Sequence, residues 1–424
     1  VDSGITDVAP VAHANALGLD MIVTDHHLPG PVLPPALAVV NPKRTDNIYP
    51  FDGLSGTGVA WKLVQAILEK NRFGLAEGKE KWLLDLVGLA TVADMMELTG
   101  ENRMLVHYGL VVMRKTPRPG LRALLSLSKT KQHTLTEDDI GFTIAPRINA
   151  ASRMDEPRRA FELLTSRESV EAAGLAKHLQ HMNDVRKGVV AATVKEINAR
   201  LKDEGVPEDI IVMGNPTWRP GLLGLIANGV KDTHSRPVFL WGREGGETIK
   251  GSCRSDGSVN VVELMQEVKD IFLDFGGHKF SGGFSIQEDK IHTLRDELVR
   301  AYALVKVRGG GVEEIFVDRE LPIEEASRTL SYLERLAPFG IGNVKPLFIV
   351  PAVEISAMKQ FGKTKNHIEL TLSGSGSRLA AMAFFKTPED FDRVPEVGMR
   401  ADIVGHLERD FFGGRARLRL VDIV

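Results

Sequence analysis

Three polar residues in a row, Asp25, His26 and His27, follow an apolar segment at 21–23 that we interpret as a strand. Imidazole and carboxylate groups at a strand end can ligate a divalent ion while a second histidine faces substrate. Neighbouring side chains of an extended backbone point in opposite directions, so we do not expect both histidines to bind one ion. The sequence predicts His26 as a metal ligand, His27 as a contact to a substrate phosphate, and Asp25 as the group orienting an imidazole. For the triplet alone, a polar strand-end cap is the alternative.

Two further carboxylates, Asp2 and Asp94, each end an apolar element that we expect to reach the same edge of a sheet. Asp94 follows an apolar helix predicted over 83–93. A carboxylate there opposes the helix dipole, and a bound cation would offset that effect. Two carboxylates and a histidine form an oxygen-rich site suited to Mn²⁺ or Mg²⁺, ions that position a water nucleophile and neutralise phosphoryl charge. An ordinary helix C-terminus is the alternative for Asp94.

The elements that would position these residues alternate between strands and helices. They are strands at 21–23 and 36–40 and helices at 58–68 and 83–93. This order predicts a parallel α/β sheet, whose ligands bind beyond the C-terminal ends of the strands. Asp2 and the triplet at 25–27 would both lie there.

The remaining sequence predicts three more regions. A helical pattern over 168–203 suits a connector between domains. A second, smaller α/β unit follows, with strands at 210–213, 238–241 and 284–286 and a helix across 261–272. After a glycine-rich linker at 308–311, strand-like alternation at 367–372 and 415–421 predicts a small β-barrel such as an OB-fold. The predicted domains are 1–165, 166–205 (the connector helix), 206–308 and 309–424.

Bulk composition limits the classes of function. The chain has 424 residues, a net charge of −3 and one cysteine, Cys253. The net charge alone gives no argument for a nucleic-acid partner. A single cysteine excludes an internal disulfide and a cysteine-based zinc site, and it fits the cytoplasm. Since no apolar run reaches the roughly 18–20 residues of a membrane span, we expect no membrane partner.

Glycine-rich segments of the second half could bind anions. Gly251 and Gly257 would free a loop carrying a guanidinium and two hydroxyls, and such groups together with backbone N–H groups grip phosphate. That loop contains Ser252, Arg254 and Ser255. Trp218 is expected either to stack on a base or to be buried. In the last region, basic residues interleave with phenylalanines, a pattern expected of an OB-fold that binds single strands: Lys359, Lys363, Lys365, Arg409, Arg415, Arg417 and Arg419 with Phe361, Phe411 and Phe412.

Motifs in a fixed order make the whole chain resemble the RecJ family of DHH phosphoesterases. Three segments resemble the second, third and fourth DHH motifs: Val-Asp-Ser-Gly-Ile (1–5), Val-Thr-Asp-His-His (23–27) and Leu-Ala-Thr-Val-Ala-Asp-Met-Met-Glu-Leu (89–98). The segment at 145–153 resembles a RecJ motif, with Ile148 and Ser152 as substitutions. Segments at 218–224, 251–255 and 275–278 resemble the DHH-associated substrate domain, and 336–343 resembles the start of the RecJ OB domain.

This resemblance implies a metal-dependent exonuclease that degrades single-stranded DNA from its 5′ end during recombination and repair. It implies that the pocket at Ser252 and Arg254 holds the terminal 5′ phosphate, and that His278 lies near the scissile phosphate. The remaining substrate contacts that it implies are Gly276 and Gly277, which would let the backbone approach closely, and Arg147, Asn149, Arg153 and Arg186, which would grip the next nucleotides. The expected partners are single-stranded DNA and, as a further expectation, a single-strand binding protein and a helicase.

One DHH motif, Asp-x-Asp-Ala-Asp-Gly, has no counterpart from Val1 onward. Because Val1 is not methionine and the opening residues resemble a strand running into a turn, we expect more sequence, with this motif, ahead of Val1. By the resemblance it supplies carboxylates to both metals, so the chain as printed would hold half of a two-metal site and bind Mn²⁺ weakly.

Two other functions remain open at this point. One is a DHH phosphodiesterase for short oligoribonucleotides or cyclic dinucleotides, a class that generally lacks the connector helix and the OB domain. The other is a non-catalytic DHH scaffold, a class that has usually lost its metal residues. The features at 168–203 and 312–424 argue against the first, and the intact Asp2, His26 and Asp94 argue against the second.

Overall fold

The computed structural model describes residues 1–154, 156–306, 315–362, 365–391, 393–410 and 414–424. The predicted linker at 308–311 lies outside these ranges, and so do Lys363, Phe411 and Phe412.

The first part of the chain is mostly helical, with two short strands. Its elements are α1 (Val8–Ala16), β1 (Ile22–Thr24), β2 (Ala38–Val40), α2 (Gly56–Lys70), α3 (Leu84–Ala93), α4 (Gly100–Met113), α5 (Pro119–Leu127), α6 (Glu137–Asp139) and α7 (Ala145–Met154). The strands β1 and β2 pair in parallel, with Ile22 opposite Ala38, as the alternation of strands and helices predicts. Ile22 is 57% exposed, so β1 is less buried than its apolar composition indicates.

The middle of the chain contains the long helix and a five-stranded sheet. Its elements are α8 (Arg158–Thr165), α9 (Ser169–Glu204), β3 (Ile211–Gly214), α10 (Pro220–His234), β4 (Val238–Gly242), β5 (Ile249–Arg254), α11 (Val261–Glu267), β6 (Phe272–His278), β7 (Ser281–Ile286) and α12 (Leu294–Lys306). The strand order is β3-β4-β5-β7-β6. Only the β3–β4 pair is parallel, and the other neighbours run antiparallel.

Two sequence predictions for this sheet are wrong. The helix predicted across 261–272 ends at Glu267, and Phe272 begins β6 instead. The predicted loop around Ser252 and Arg254 is strand β5. The packing of β5 requires a glycine at position 251, because a Cβ there would lie 2.0 Å from the Phe284 ring.

The last part of the chain forms a closed barrel. Its elements are β8 (Arg319–Glu320), α13 (Ala326–Leu333), β9 (Leu347–Phe361), β10 (His367–Gly374), β11 (Ser377–Phe384), β12 (Arg400–Arg409) and β13 (Ala416–Ile423). The ladder runs β10-β11-β13-β12-β9 and closes through a β9–β10 pairing, while β8 extends β9 at the edge. Fully buried aliphatic side chains fill the barrel: Ile355, Ile368, Leu370, Ile403 and Leu418. This confirms the predicted OB-like barrel.

The chain divides into two compact units. The first contains residues 1–116, 131–142 and 314–424, and the second contains 117–130 and 143–313. The four domains predicted from the sequence, with boundaries at 165/166, 205/206 and 308/309, stay a prediction. Among the described residues, no helix is both long and apolar enough to cross a membrane.

Candidate metal centre and arginine pocket

Asp2, His26 and Asp94 meet just beyond the C-terminal end of β1, in the first unit. His26 Nε2 lies 3.1 Å from Asp2 Oδ1 and 3.5 Å from Asp94 Oδ2. The imidazole is buried, whereas the carboxylates are 57% and 52% exposed. A carboxylate oxygen of Asp2 and one of Asp94 therefore both lie beside His26 Nε2, at a point that solvent can reach. Among the described residues, the group whose ligand atoms all lie within 4.8 Å of one another contains His27 and not Asp94. This donor set fits Mn²⁺ or Mg²⁺.

The two histidines lie on the same side of the chain. Their ring centroids are 4.4 Å apart, and ligand atoms of Asp2, His26 and His27 all lie within 4.8 Å of one another. The expectation that the two side chains point in opposite directions is therefore wrong. Strand β1 ends at Thr24, so the alternation of an extended backbone does not reach these residues. His27 is exposed, and its ring is free to face either a metal or a substrate phosphate.

Asp25 is buried and holds the histidine segment in place. Its carboxylate accepts hydrogen bonds from the backbone N–H groups of Ile5 (3.0 Å), His26 (2.7 Å) and His27 (3.2 Å), and it lies 2.8 Å from His27 Nδ1. Burial acts to raise the pKa of Asp25, but these hydrogen bonds, led by the His27 side chain, lower it below its ordinary value. The carboxylate thus stays ionised and holds the Nδ1 side of His27, leaving the other ring nitrogen for substrate or metal.

The Asp2 carboxylate lies against the first turn of α2, where Gly56 leaves room for it. A Cβ at Gly56 would stand 1.9 Å from Asp2 Oδ1. Asp2 has a left-handed φ of 61°, and its N–H donates to the Thr24 carbonyl at 2.7 Å. The helix end is itself fixed, since Ser55 Oγ accepts from Gly58 N–H at 3.2 Å. The N-terminal end of a helix favours a carboxylate.

Gly56 is a position at the candidate metal centre that sequence reasoning does not identify. Its only signal is a glycine-rich stretch at 53–58 ahead of a helix, which is equally typical of an ordinary turn. The reason for a glycine here is a contact with Asp2, 54 positions earlier, and no local pattern encodes that contact.

Asp94 ends α3 as its C-cap residue, where the helix dipole disfavours a negative charge. Burial raises the pKa of the Asp94 carboxyl, His26 acts to lower it, and Asp2 raises it further. The loop after Asp94 is bonded to the segment that precedes the barrel in the same unit. Leu98 N–H donates to the Ile341 carbonyl at 2.6 Å. A Cβ at Gly342 would meet Thr99 Cγ2 at 2.9 Å. The segment at 336–343 therefore packs on the loop that follows Asp94.

One arginine of the second unit, Arg153, acts electrostatically on two others, Arg186 and Arg254. Burial lowers the pKa of Arg254 and of Arg186, and the charge of Arg153 lowers both further. Arg254 donates to the Cys253 carbonyl at 2.7 Å, Arg153 to the Gly221 carbonyl at 2.8 Å, and Arg186 to Asn183 Oδ1 at 2.9 Å.

This group of three arginines, which we call the arginine pocket, is a candidate anion site. None of the three forms a salt bridge within the described ranges. Ser252 lies two residues before Arg254 on the same face of β5. A Cβ at Gly224, in the first turns of α10, would lie 2.7 Å from Arg254 Nη2. Uncompensated guanidinium groups beside a hydroxyl bind phosphate well.

The other predicted substrate residues have different surroundings. Ser255 is buried, and its hydroxyl donates to the Val259 carbonyl at 2.7 Å, so it closes a turn. Arg147 Nε donates to Gln180 Oε1 at 2.7 Å, and Asn149 is half-buried on α7. Trp218 is 5% exposed and lies in the core between α9 and α10. Of the two expectations for Trp218, burial is therefore the one that the structure supports.

Gly276, Gly277 and His278 are exposed at the end of β6. Gly277 has a φ of 148°, and a Cβ there would lie 2.3 Å from the Ser281 carbonyl oxygen. The glycine therefore permits close approach of β6 to β7. His278 pairs with Ser281 at the end of that ladder.

Comparisons with known proteins match all parts of the chain. Three family models match: the DHH family N-terminal domain over 1–91, the DHHA1 domain over 208–303 and the RecJ OB domain over 317–421. The chain is 33% identical to the single-stranded-DNA-specific exonuclease RecJ of Bacillus subtilis, over 99% of this chain and 52% of that protein. It is 34% identical to the Escherichia coli protein of the same name, over 99% and 75%.

A solved structure agrees with these matches. The crystal structure of RecJ from Thermus thermophilus in complex with Mn²⁺ superimposes with a TM-score of 0.81 at 29% identity, covering 100% of this chain and 60% of that one. The chain thus spans between about half and three quarters of the length of the relatives described here. On the domain matches and the identity to these relatives, the chain belongs to the RecJ family of DHH phosphoesterases.

Proposed function

We propose that this chain contains the catalytic part of a metal-dependent exonuclease that hydrolyses phosphodiester bonds of single-stranded DNA from the 5′ end. The observation that carries the proposal is that carboxylate oxygens of Asp2 and Asp94 both lie within 3.5 Å of His26 Nε2. The relatives are named single-stranded-DNA-specific exonucleases, which supports single-stranded DNA as the substrate. The Thermus thermophilus structure contains Mn²⁺, which supports Mn²⁺ as a cofactor. We place the activity in DNA recombination and repair in the cytoplasm, with a single-strand binding protein and a helicase as proposed partners.

Residues of the first unit have different roles at the proposed metal centre. Asp2, His26 and Asp94 would hold the ion, Mn²⁺ or Mg²⁺, which when bound supplies charge neutralisation at the phosphoryl group and orients a water. Asp25 holds His27 through Nδ1, so the opposite ring nitrogen is directed to a phosphate oxygen. Because Asp25 is buried and ionised, it favours the imidazole orientation that makes this contact.

The arginine pocket would recognise one end of the strand. In-line attack on a phosphodiester has no preference for strand direction, so polarity must come from a separate group. A terminal phosphate is a dianion at neutral pH, whereas an internal phosphate is a monoanion. Arg254, with Ser252 beside it, therefore suits a 5′-terminal phosphate. Arg147, Asn149 and Ser255 are further proposed substrate contacts. His278, with Gly276 and Gly277, is a proposed contact to the scissile phosphate.

The barrel favours a polymeric substrate over the alternative of very short substrates. A closed OB-like barrel provides an extended surface for single strands, which a dinucleotide would not use. The intact Asp2, His26 and Asp94 favour an enzyme over a scaffold.

The proposal is tested by the order in which labels leave a strand. The assay uses this chain preceded by a segment carrying the Asp-x-Asp-Ala-Asp-Gly motif, which we call the extended chain. With Mn²⁺ and 5′-labelled single-stranded DNA, we expect the label to leave at once as a mononucleotide. The same strand labelled at its 3′ end should shorten progressively. His26→Ala or a chelator should stop both, and blunt duplex DNA should persist. Early release of the 3′ label, or cleavage unaffected by a chelator, would refute the proposal.

A further inference from the structure

Different segments of the first unit position the two carboxylates of the candidate metal centre. Asp2 lies against the first turn of α2, where Gly56 leaves room for it, and Asp94 ends α3. The separation of the two carboxylates therefore depends on how the segment at 53–58 is held against the segment at 91–97. Two buried polar contacts join these segments directly.

Asn102, in the first turn of α4, makes one of these contacts. The residue is fully buried, and its Nδ2 donates to the Gly53 carbonyl at 2.6 Å and to the Glu97 carbonyl at 3.0 Å. A side-chain amide nitrogen carries two hydrogens, so both of its donors are used. Glu97 follows Asp94 by three residues, and Gly53 precedes α2. We call this contact the amide bridge, because one nitrogen atom joins the two segments.

The second contact joins two buried hydroxyl groups, Ser55 Oγ and Thr91 Oγ1, which lie 3.1 Å apart. Thr91 Oγ1 donates to the Val87 carbonyl, one turn earlier in α3, at 2.8 Å. The hydrogen between the two hydroxyls therefore comes from Ser55. We call this contact the hydroxyl bridge. Because Thr91 precedes Asp94 by three residues, the two bridges hold the chain on both sides of that carboxylate.

The surroundings of the amide bridge are closely packed and leave one polar atom unsatisfied. A Cβ at Gly53 would lie 2.9 Å from Phe51 Cζ, and a Cβ at Gly100 would lie 3.1 Å from Phe51 Cε2, so the ring packs against both glycines. Asn102 Oδ1 is buried and has no hydrogen-bond partner among the described residues. A buried acceptor without a partner destabilises a fold. What the amide provides in return is its pair of donors to two different segments.

We infer that Asn102 is a positioning residue of the proposed metal centre, which together with the hydroxyl bridge fixes the separation of the Asp2 and Asp94 carboxylates. The inference rests on the proposed function and adds to it residues that do not touch the ion. Both carboxylates lie within 3.5 Å of His26 Nε2, and like charges so close together repel each other. Bridges that hold the two segments in place reduce the rearrangement that binding of the ion would otherwise require.

The test combines calorimetric titration of this chain with Mn²⁺ and thermal unfolding without metal. Asn102→Ala should raise the Kd for Mn²⁺ about 10- to 100-fold, the range typical for loss of a group that orients metal ligands. Thr91→Val keeps the shape of the side chain but removes its hydroxyl, so it should also raise the Kd. Thr91→Ser keeps the hydroxyl but removes a buried methyl group, so it should lower the unfolding temperature and leave the Kd at the wild-type value. If Asn102→Ala does not fold, the two Thr91 variants decide the question.

Thr193→Val is the matched control, because Thr193 is a buried threonine of the second unit whose hydroxyl donates to the Val189 carbonyl at 3.0 Å, as Thr91 does to Val87. Its Kd for Mn²⁺ should equal that of wild type. A wild-type Kd in Thr91→Val, or a Kd raised equally by Thr91→Ser or by Thr193→Val, would overturn the inference while the proposed function stands. If wild type binds no Mn²⁺ at all, the proposed metal centre fails, and the inference fails with it.

Discussion

Gly56→Ala should weaken Mn²⁺ binding by this chain about 10- to 100-fold, the range typical for loss of a group that orients a metal ligand. The added Cβ would lie 1.9 Å from Asp2 Oδ1, so the carboxylate must move. Asp2 cannot follow by a small backbone shift, because its N–H is bonded to Thr24 and its φ is already left-handed. Calorimetric titration with Mn²⁺ measures the change.

Gly58→Ala is the matched control for this prediction. It lies in the same turn of α2, and its Cβ would meet Ser55 Oγ at 3.4 Å and Leu54 at 3.5 Å, which are ordinary contacts. Both substitutions raise helix propensity by about 1 kcal/mol, so a difference between them reports the position of Asp2. Equal Mn²⁺ affinities for the two variants would contradict the role that we assign to Gly56.

Arg254→Ala should slow digestion of strands that carry a 5′ phosphate and have much less effect on strands that end in a 5′ hydroxyl. A charge-assisted hydrogen bond contributes about 1.5–3 kcal/mol, so we expect kcat/KM of the extended chain on the phosphorylated strand to fall about 10- to 150-fold. The guanidinium is held by the Cys253 carbonyl and has no acidic partner among the described residues, so its charge is available to a terminal dianion.

Lys250→Ala is the control for the arginine pocket. Lys250 is an exposed residue on the same face of β5 as Ser252 and Arg254, so its loss tests the general effect of removing positive charge. The two variants are compared on both substrates at one salt concentration. If Arg254→Ala slows both substrates by the same factor, Arg254 is a general backbone contact and another group recognises the 5′ end.

The residues of the candidate metal centre could be predicted from the sequence better than their geometry could. Asp25, His26 and His27 follow an apolar run, and such a run predicts that a strand precedes them. The directions of the two imidazoles could not be predicted, because they depend on where β1 stops. The segment of β5 is predicted as a loop because Gly251 and Gly257 are expected to free its backbone. In the structure, Gly251 instead makes room for the Phe284 ring within the sheet.

Contacts between distant segments account for the rest of what the sequence could not predict. Gly56 matters because of Asp2, and Phe361, His367 and Phe384 come together only through the register of β9, β10 and β11. The basic residues of the last region could be identified from the sequence. Which of them form salt bridges could not, because that depends on partners such as Glu334 and Glu408. Tertiary contacts of this kind leave no periodic signal in one sequence.

The claim that His26 is a ligand of a divalent ion is tested most directly by electron–nuclear double resonance of Mn²⁺ bound to the chain. The protein is produced with ¹⁵N-labelled histidine, so that a coordinating imidazole couples to the metal with a ¹⁵N signature. We expect that signature in wild type and in His278→Ala, and we expect it to vanish in His26→Ala. Bound Mn²⁺ that shows no ¹⁵N coupling, or a coupling that survives His26→Ala unchanged, would contradict the metal centre described here.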